Sequence, residues 1–193
     1  PSMGFRSIRI CLAKPEMFQT QLRAIYRASV YGPVSILFPM VDSVEQLEQI
    51  LSHVHKAQES LVRDALPFDP KVGIGLVIET PASVILSPEL AQKVNFFHID
   101  TNDLVQYTLA VDRQNPRVTR YYNTHHPAVM RMIQMVIAAA HEAGIQVTIS
   151  GDMADDESLL GWFIRSGVDG INVSAASVLP LRRRVRNLDL NEG

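Results

Sequence analysis

Residues 72–81 read Val-Gly-Ile-Gly-Leu-Val-Ile-Glu-Thr-Pro. The run Val72 to Ile78 is short and apolar, the pattern of a buried strand. Glu79 stands at its carboxyl end. Thr80-Pro81 then starts a helix to about Gln92, since proline suits a first turn where its missing N–H has no partner to lose. This order of strand, polar residue and helix recurs on both sides. Upstream, Pro15 opens a helix to about Val30, and Gly32-Pro33 ends it. Val34-Ser-Ile-Leu-Phe-Pro-Met40 reads as the next strand, and Ser43 with Gln46 forms a capping-box pattern for an amphipathic helix to about Asp64. Downstream, Asn95 to Ile99 is a strand, Asp103 to Ala110 a short helical segment, and Gln114 to Asn123 an arginine-rich loop. Pro127 begins a helix that Gly144 stops. Ile145 to Ile149 is a strand, Asp155 to Ser166 a helix closed by Gly167, Gly170 to Val173 a strand, and Val178 to Arg186 a last helix.

Apolar strands alternating with amphipathic helices predict an α/β fold with parallel strands. An open doubly wound sheet and a (β/α)8 TIM barrel both satisfy that rhythm. The polar residues separate them. Glu79, Asn102 with Asp103, Ser150 with Asp152, and Ser174 each follow a different strand. A barrel builds its site from many strand ends, whereas an open sheet concentrates it at one switch point. The prediction is therefore a (β/α)8 barrel, with residues 1–193 supplying only its C-terminal five or six βα units. On this reading about three units lie before Pro1, or are partly represented by Ser7 to Leu12. The start at Pro1 rather than methionine agrees with a fragment.

Composition narrows the functions. The 193 residues are 47% hydrophobic and 20% charged, normal for a globular chain. Lys plus Arg number 18 and Asp plus Glu 20, so a net charge of −2 offers no electrostatic case for nucleic acid. No apolar run reaches the roughly 20 residues of a membrane helix. A single cysteine, Cys11, permits no intrachain disulfide and agrees with a reducing, cytoplasmic compartment.

Glu79 and Asp103 follow separate strands and point into one mouth. Two carboxylates with room for water and phosphate suit Mg²⁺, which takes oxygen ligands and keeps several waters. Both positions equally suit plain N-terminal acids stabilised by a helix dipole. Arg113, Arg6 and Arg9 carry the planar fork that grips carboxylate or phosphate, though a surface role is the commoner fate of a lone arginine. Of the six histidines, His53, His55 and His141 are expected on solvated helix faces and His98 in the core. None has zinc-ligand spacing. Arg182 to Arg184 with Arg186 form a basic helix end, which the dipole favours.

Gly4-Phe-Arg-Ser-Ile-Arg9, Phe38-Pro-Met40, Ile78-Glu-Thr-Pro81, Thr101-Asn-Asp-Leu104, Gln106-Tyr-Thr-Leu-Ala-Val-Asp-Arg113 and Ser150-Gly-Asp152 occur in this order. Together they resemble the C-terminal phosphoenolpyruvate-binding barrel of enzyme I of the bacterial phosphotransferase system, over essentially the whole chain. Pyruvate phosphate dikinase and phosphoenolpyruvate synthase are related. The resemblance implies that Glu79 and Asp103 hold Mg²⁺, with Mn²⁺ able to substitute, and that Arg6, Asn102 and Arg113 grip phosphoenolpyruvate. It implies phosphoryl transfer to a histidine on a separate domain, then to a small phosphocarrier protein, in a cytoplasmic homodimer serving sugar transport.

This sequence departs from the family in three places. Ser150 stands where the family has a cysteine that protonates the enolate, and a serine hydroxyl is a far weaker acid than a thiol of pKa about 8.5. Asp152 replaces glutamate. Asp100 replaces a glycine, adding a carboxylate where phosphate should approach. These departures motivate an alternative, a non-catalytic phosphoenolpyruvate-sensing or dimerisation module. A pyruvate-enolate lyase or aldolase on the related barrel is a further alternative. Gln106 to Arg113 favours enzyme I over the lyases.

Overall fold

The computed structural model describes residues 3–189. Helix α1 (Ile8–Ala13) leads into α2 (Pro15–Ala28), then β1 (Ser35–Phe38), α3 (Val44–Arg63) and β2 (Gly73–Ile78). Two short helices, α4 (Pro81–Ile85) and α5 (Ser87–Ala91), precede β3 (Phe96–Asp100) and α6 (Thr101–Leu109). Then come α7 (Pro127–Glu142), β4 (Gln146–Ser150), α8 (Leu160–Ser166), β5 (Gly170–Ile171) and α9 (Val178–Asn187).

The strands form one parallel sheet in the order β1-β2-β3-β4-β5. Spatial order follows chain order throughout, so the sheet has no switch point. Right-handed crossovers that always step the same way put every helix on one face. That is how a barrel wall is built, and the fold is a segment of a (β/α)8 barrel.

Register shows the two faces. Leu76, Phe97 and Val147 lie side by side, as do Ile78, Ile99 and Ile149. All six point at the helices and are fully buried. The other face carries Val77, His98 and Thr148 in one row and Asp100 beside Ser150 in the next, all half-buried. Lower down, the Phe96 ring lies so close over Gly75 that a Cβ there would collide with it.

Several boundaries differ from expectation, each for a local reason. The segment around Ser7 to Leu12 is helix α1, not a strand, so it represents none of the barrel's missing strands. The helix expected from Pro81 to Gln92 breaks at Leu86, because Pro88 has no N–H to continue the ladder and its ring crowds the preceding turn. Helix α6 starts at Thr101, two residues early, because Asp100 caps it. Residues Glu157–Leu159 form a 3-10 turn before α8 rather than its first turn. The last strand ends at Ile171. Ser43 accepts from the Gln46 N–H, but the Gln46 side chain accepts from the Asp42 N–H, so the capping box is half made.

Two histidines also differ. His53 is not solvated: it sits in the α2–α3 seam, its ring against Phe18 and hydrogen-bonded to Gln19. His98 is on the open face of the sheet, not in the apolar core. No described helix is long and apolar enough to cross a membrane.

Candidate functional site

The carboxyl ends of β1 to β4 converge on a polar cluster. Asp103, in the first turn of α6, is only 3% exposed. Its Oδ2 lies 3.3 Å from Arg6 Nη1 and its Oδ1 3.4 Å from Arg113 Nη2. Arg6 also donates to the Tyr107 hydroxyl at 3.2 Å. Arg113 is held by its backbone, whose N–H donates to Gln106 Oε1 at 3.1 Å. Both guanidinium groups remain about a third exposed, so each keeps a face toward solvent. Arg9 turns away and pairs with Asp42.

Glu79 lies behind Asp103, equally buried. Its Oε1 accepts the Met40 N–H at 2.6 Å. Met40 adopts φ 61, a left-handed conformation costly for a side chain of its shape, and that turn aims its N–H at the carboxylate. Burial pushes the Glu79 pKa up to about 7, and the neighbouring Asp103 and Asp100 carboxylates add to the rise. The Met40 hydrogen bond opposes it.

Asp100 is anchored rather than loose. Its Oδ1 accepts the backbone N–H groups of Asn102 and Asp103 at 2.9 and 3.2 Å. The extra carboxylate therefore occupies the amides at the start of α6. Asn102 faces the next loop: its Nδ2 donates to Asp152 Oδ1 at 3.3 Å, and its Oδ1 accepts the Asp152 N–H at 2.8 Å. Thr101 donates to the Ser150 carbonyl at 2.8 Å, tying the same two loops. Gly151, at φ 104, lies against Thr101 and Asn102 so closely that a Cβ would collide with both. The Ser150 hydroxyl is 2.8 Å from His98 Nε2, and His98 Nδ1 is 2.7 Å from the Thr148 hydroxyl.

The structure thus gathers Glu79, Asp103, Arg6 and Arg113 into one cluster. It puts Ser150 with His98, and Asn102 with Asp152, on the adjoining strand end.

Residues 1–190 match the model of the PEP-utilising enzyme, PEP-binding domain family. The chain belongs to that family. Relatives of this PEP-binding domain include proteins named phosphoenolpyruvate-protein phosphotransferase. The one from Staphylococcus epidermidis is 40% identical over 100% of this chain and 34% of its own length. That of Priestia megaterium is 41% identical over 97% of this chain and 33% of its own, and that of Bacillus subtilis 39% over 100% and 34%. The chain therefore spans about a third of the curated relatives it matches. Solved structures share the fold at low identity. A citrate lyase from Burkholderia xenovorans superposes with TM-score 0.64 at 18% identity, over 84% of this chain and 52% of the other. Pyruvate kinase from Pyrobaculum aerophilum gives 0.58 at 16%, over 89% and 39%.

Some residues of this PEP-binding domain's site were not legible in the sequence. The Met40 backbone and the Tyr107 hydroxyl enter through tertiary contact alone. His98 carried a signal, an ionisable residue in an alternating apolar strand two positions before Asp100, which places both on one face.

Among the described residues, no three His, Cys, Asp or Glu side chains cluster as a protein-only metal site would. Two carboxylates do meet, and the buried Asp103 Oδ1 is ion-paired to Arg113 at 3.4 Å without a hydrogen bond. A buried carboxylate oxygen without a hydrogen bond, next to a carboxyl with a raised pKa, fits a divalent cation completed by water and ligand phosphate.

Proposed function

We propose that this chain is the phosphoenolpyruvate-binding part of a phosphoenolpyruvate-protein phosphotransferase of the enzyme I type. It passes the phosphoryl group to a histidine on a separate domain and then to a small phosphocarrier protein, in a cytoplasmic homodimer serving sugar transport. The observation that carries the reading is the buried Asp103 set between two guanidinium groups, each about a third exposed, at the barrel mouth. Arg6 and Arg113 each keep donors free to grip a phosphate or carboxylate bidentately while Asp103 fixes their positions. Asn102 joins them from the start of α6. Glu79 and Asp103 would hold Mg²⁺ or Mn²⁺, which when bound neutralises charge on the phosphate and enolate oxygens.

The chain's own work is positioning and charge balance. The phosphoryl group leaves, and the electron pair of the broken P–O bond stays on the enolate oxygen. The enolate carbon then takes a proton to give pyruvate. The test is calorimetric titration of phosphoenolpyruvate into the protein with and without Mg²⁺, beside transfer to a carrier. Arg113→Gln is expected to weaken binding about 10- to 100-fold, as loss of a charge-assisted hydrogen-bond pair worth roughly 1.5–3 kcal/mol requires. Unchanged affinity in Arg113→Gln would sink the reading.

A second reading draws on Asp100. Its carboxylate takes up the α6 amides and brings negative charge to the mouth, which favours a sensing module that binds phosphoenolpyruvate without turning it over. Binding without any phosphoryl transfer in the same experiment would select it.

A further inference from the structure

The proposed reaction leaves an enolate that needs a proton at carbon, and Ser150 alone is too weak an acid to supply it. We propose that His98 supplies and recovers that proton through the Ser150 hydroxyl, so that His98, Ser150 and Thr148 form a relay on the open face of the sheet. The inference rests on the phosphoenolpyruvate reading and deepens it by assigning the proton step.

The geometry is specific. His98 and Ser150 project from the same side of neighbouring parallel strands, with His98 directly opposite Thr148 and Asp100 opposite Ser150. Both ring nitrogens are engaged at hydrogen-bond distance, Nε2 with Ser150 and Nδ1 with Thr148. Both partners are hydroxyls, which donate or accept by rotating. Neither tautomer is therefore imposed, and the ring can pass a proton in either direction by turning two hydroxyls. Ser150 ends β4 with its carbonyl bonded to Thr101 in the same first turn of α6 that carries Asp103, and its side chain lies on the open face beside Asp100, at the edge of the arginine-lined mouth. The ring is half-buried, and its two hydrogen bonds hold its orientation.

The proton count balances with water as the source that recharges His98. In the forward direction the Ser150 proton goes to the enolate carbon, forming a C–H bond, and the imidazolium Nε2 proton goes to Ser150 Oγ. Pyruvate and neutral His98 result. In reverse, neutral His98 accepts the Ser150 proton as Ser150 takes one from the pyruvate methyl group. Burial holds His98 below the ordinary imidazole value, with Asp100 opposing from its own strand. Its neighbours across the sheet, Val77 on β2 and Thr148 on β4, carry no charge. Neutral His98 is ready as it stands for the reverse step, and takes up one proton from water before each forward step.

The test is exchange of pyruvate methyl protons for deuterium, followed by NMR in the full-length protein with Mg²⁺, alongside phosphoenolpyruvate affinity. Exchange should rise with pH to a plateau, half-maximal below 6.5. His98→Gln should slow it about 100-fold or more, the scale of general acid–base catalysis, with affinity within threefold and the inflection abolished. Ser150→Ala should do the same, and the double variant should be no slower than either single one. Adding Ser150→Cys to His98→Gln should restore exchange, because a thiol is itself an adequate acid; that rescue also shows that the variant is folded. Exchange within threefold of the parent in His98→Gln overturns the relay. If the parent binds phosphoenolpyruvate but exchanges no methyl protons, the relay falls and the binding reading stands. If phosphoenolpyruvate does not bind at all, both fall.

Discussion

The two faces of the sheet are built on different principles. The helix-facing side stacks Leu76, Phe97 and Val147 under α3 to α7, with Ile78, Ile99 and Ile149 above them, and no polar side chain interrupts those rows. The opposite side alternates small, polar and titratable groups, and Leu37 on β1 is 37% exposed there. One face holds the fold together and the other holds chemistry in position. Burial can therefore run to completion on the first, while on the second it must stop short so that charged groups remain usable.

The comparison breaks most visibly through truncation. Phe97→Ala should cost about 3–5 kcal/mol, because it removes a fully buried ring and leaves a cavity. Val77→Ala, one position away on β2 beside His98, should cost about 1 kcal/mol, since its side is already half open. Urea denaturation measures both, and equal losses would mean that the open face is packed as tightly as the other.

The next largest effect is electrostatic. Folded Glu79 releases its proton near pH 7, against 4.5 for the free group. Between those values the folded chain holds more protons than the unfolded one, so stability falls as pH rises. The contribution is complete below pH 4.5 and lost through pH 7, with a magnitude on the order of 3 kcal/mol at most. Denaturation of the metal-free protein across this window should show the decline. Glu79→Gln should flatten it, and so should Mg²⁺ with phosphoenolpyruvate, since a cation favours the ionised carboxylate. An equal slope in Glu79→Gln would point to another group.

Gly151→Ala should cost about 1–3 kcal/mol, because the residue sits at φ 104 with Thr101 and Asn102 against it. It should also pull Ser150 from His98, so its pyruvate exchange should drop more than its thermal stability. Loss of stability with exchange unchanged would separate the loop from the relay.

Asp100→Gly is the mildest change. Replacing an N-cap by glycine costs only a few tenths of a kcal/mol. Removing its charge should tighten phosphoenolpyruvate binding and lower the Glu79 pKa, which Asp100 helps to raise. Weaker binding on calorimetry would show that the cap, not the repulsion, is what the site requires.

By itself the sequence determined the alternation of strands and helices, the barrel reading, and the placement of Glu79 and Asp103 just past strand ends, whereas Arg6 and Arg113 stood out only through the family resemblance. Strand burial has period 2 and helix burial period 3.6, and a polar residue just past an apolar run marks a strand end in any parallel barrel. Those signals are local, and they survive in a linear string. Helix α6 shows the limit, since its start depends on Asp100, whose carboxylate reads in the sequence as a charge opposing phosphate and in the structure caps the helix. The tertiary structure decided which neighbour each group answers to. Asp103 became the bridge between Arg6 and Arg113, Asn102 the clasp of Asp152, and His98 the partner of Ser150. Those pairs lie 10 to 97 residues apart in the chain, and only the register of parallel strands and the crossovers between them sets the distances over which charge and hydrogen bonding act.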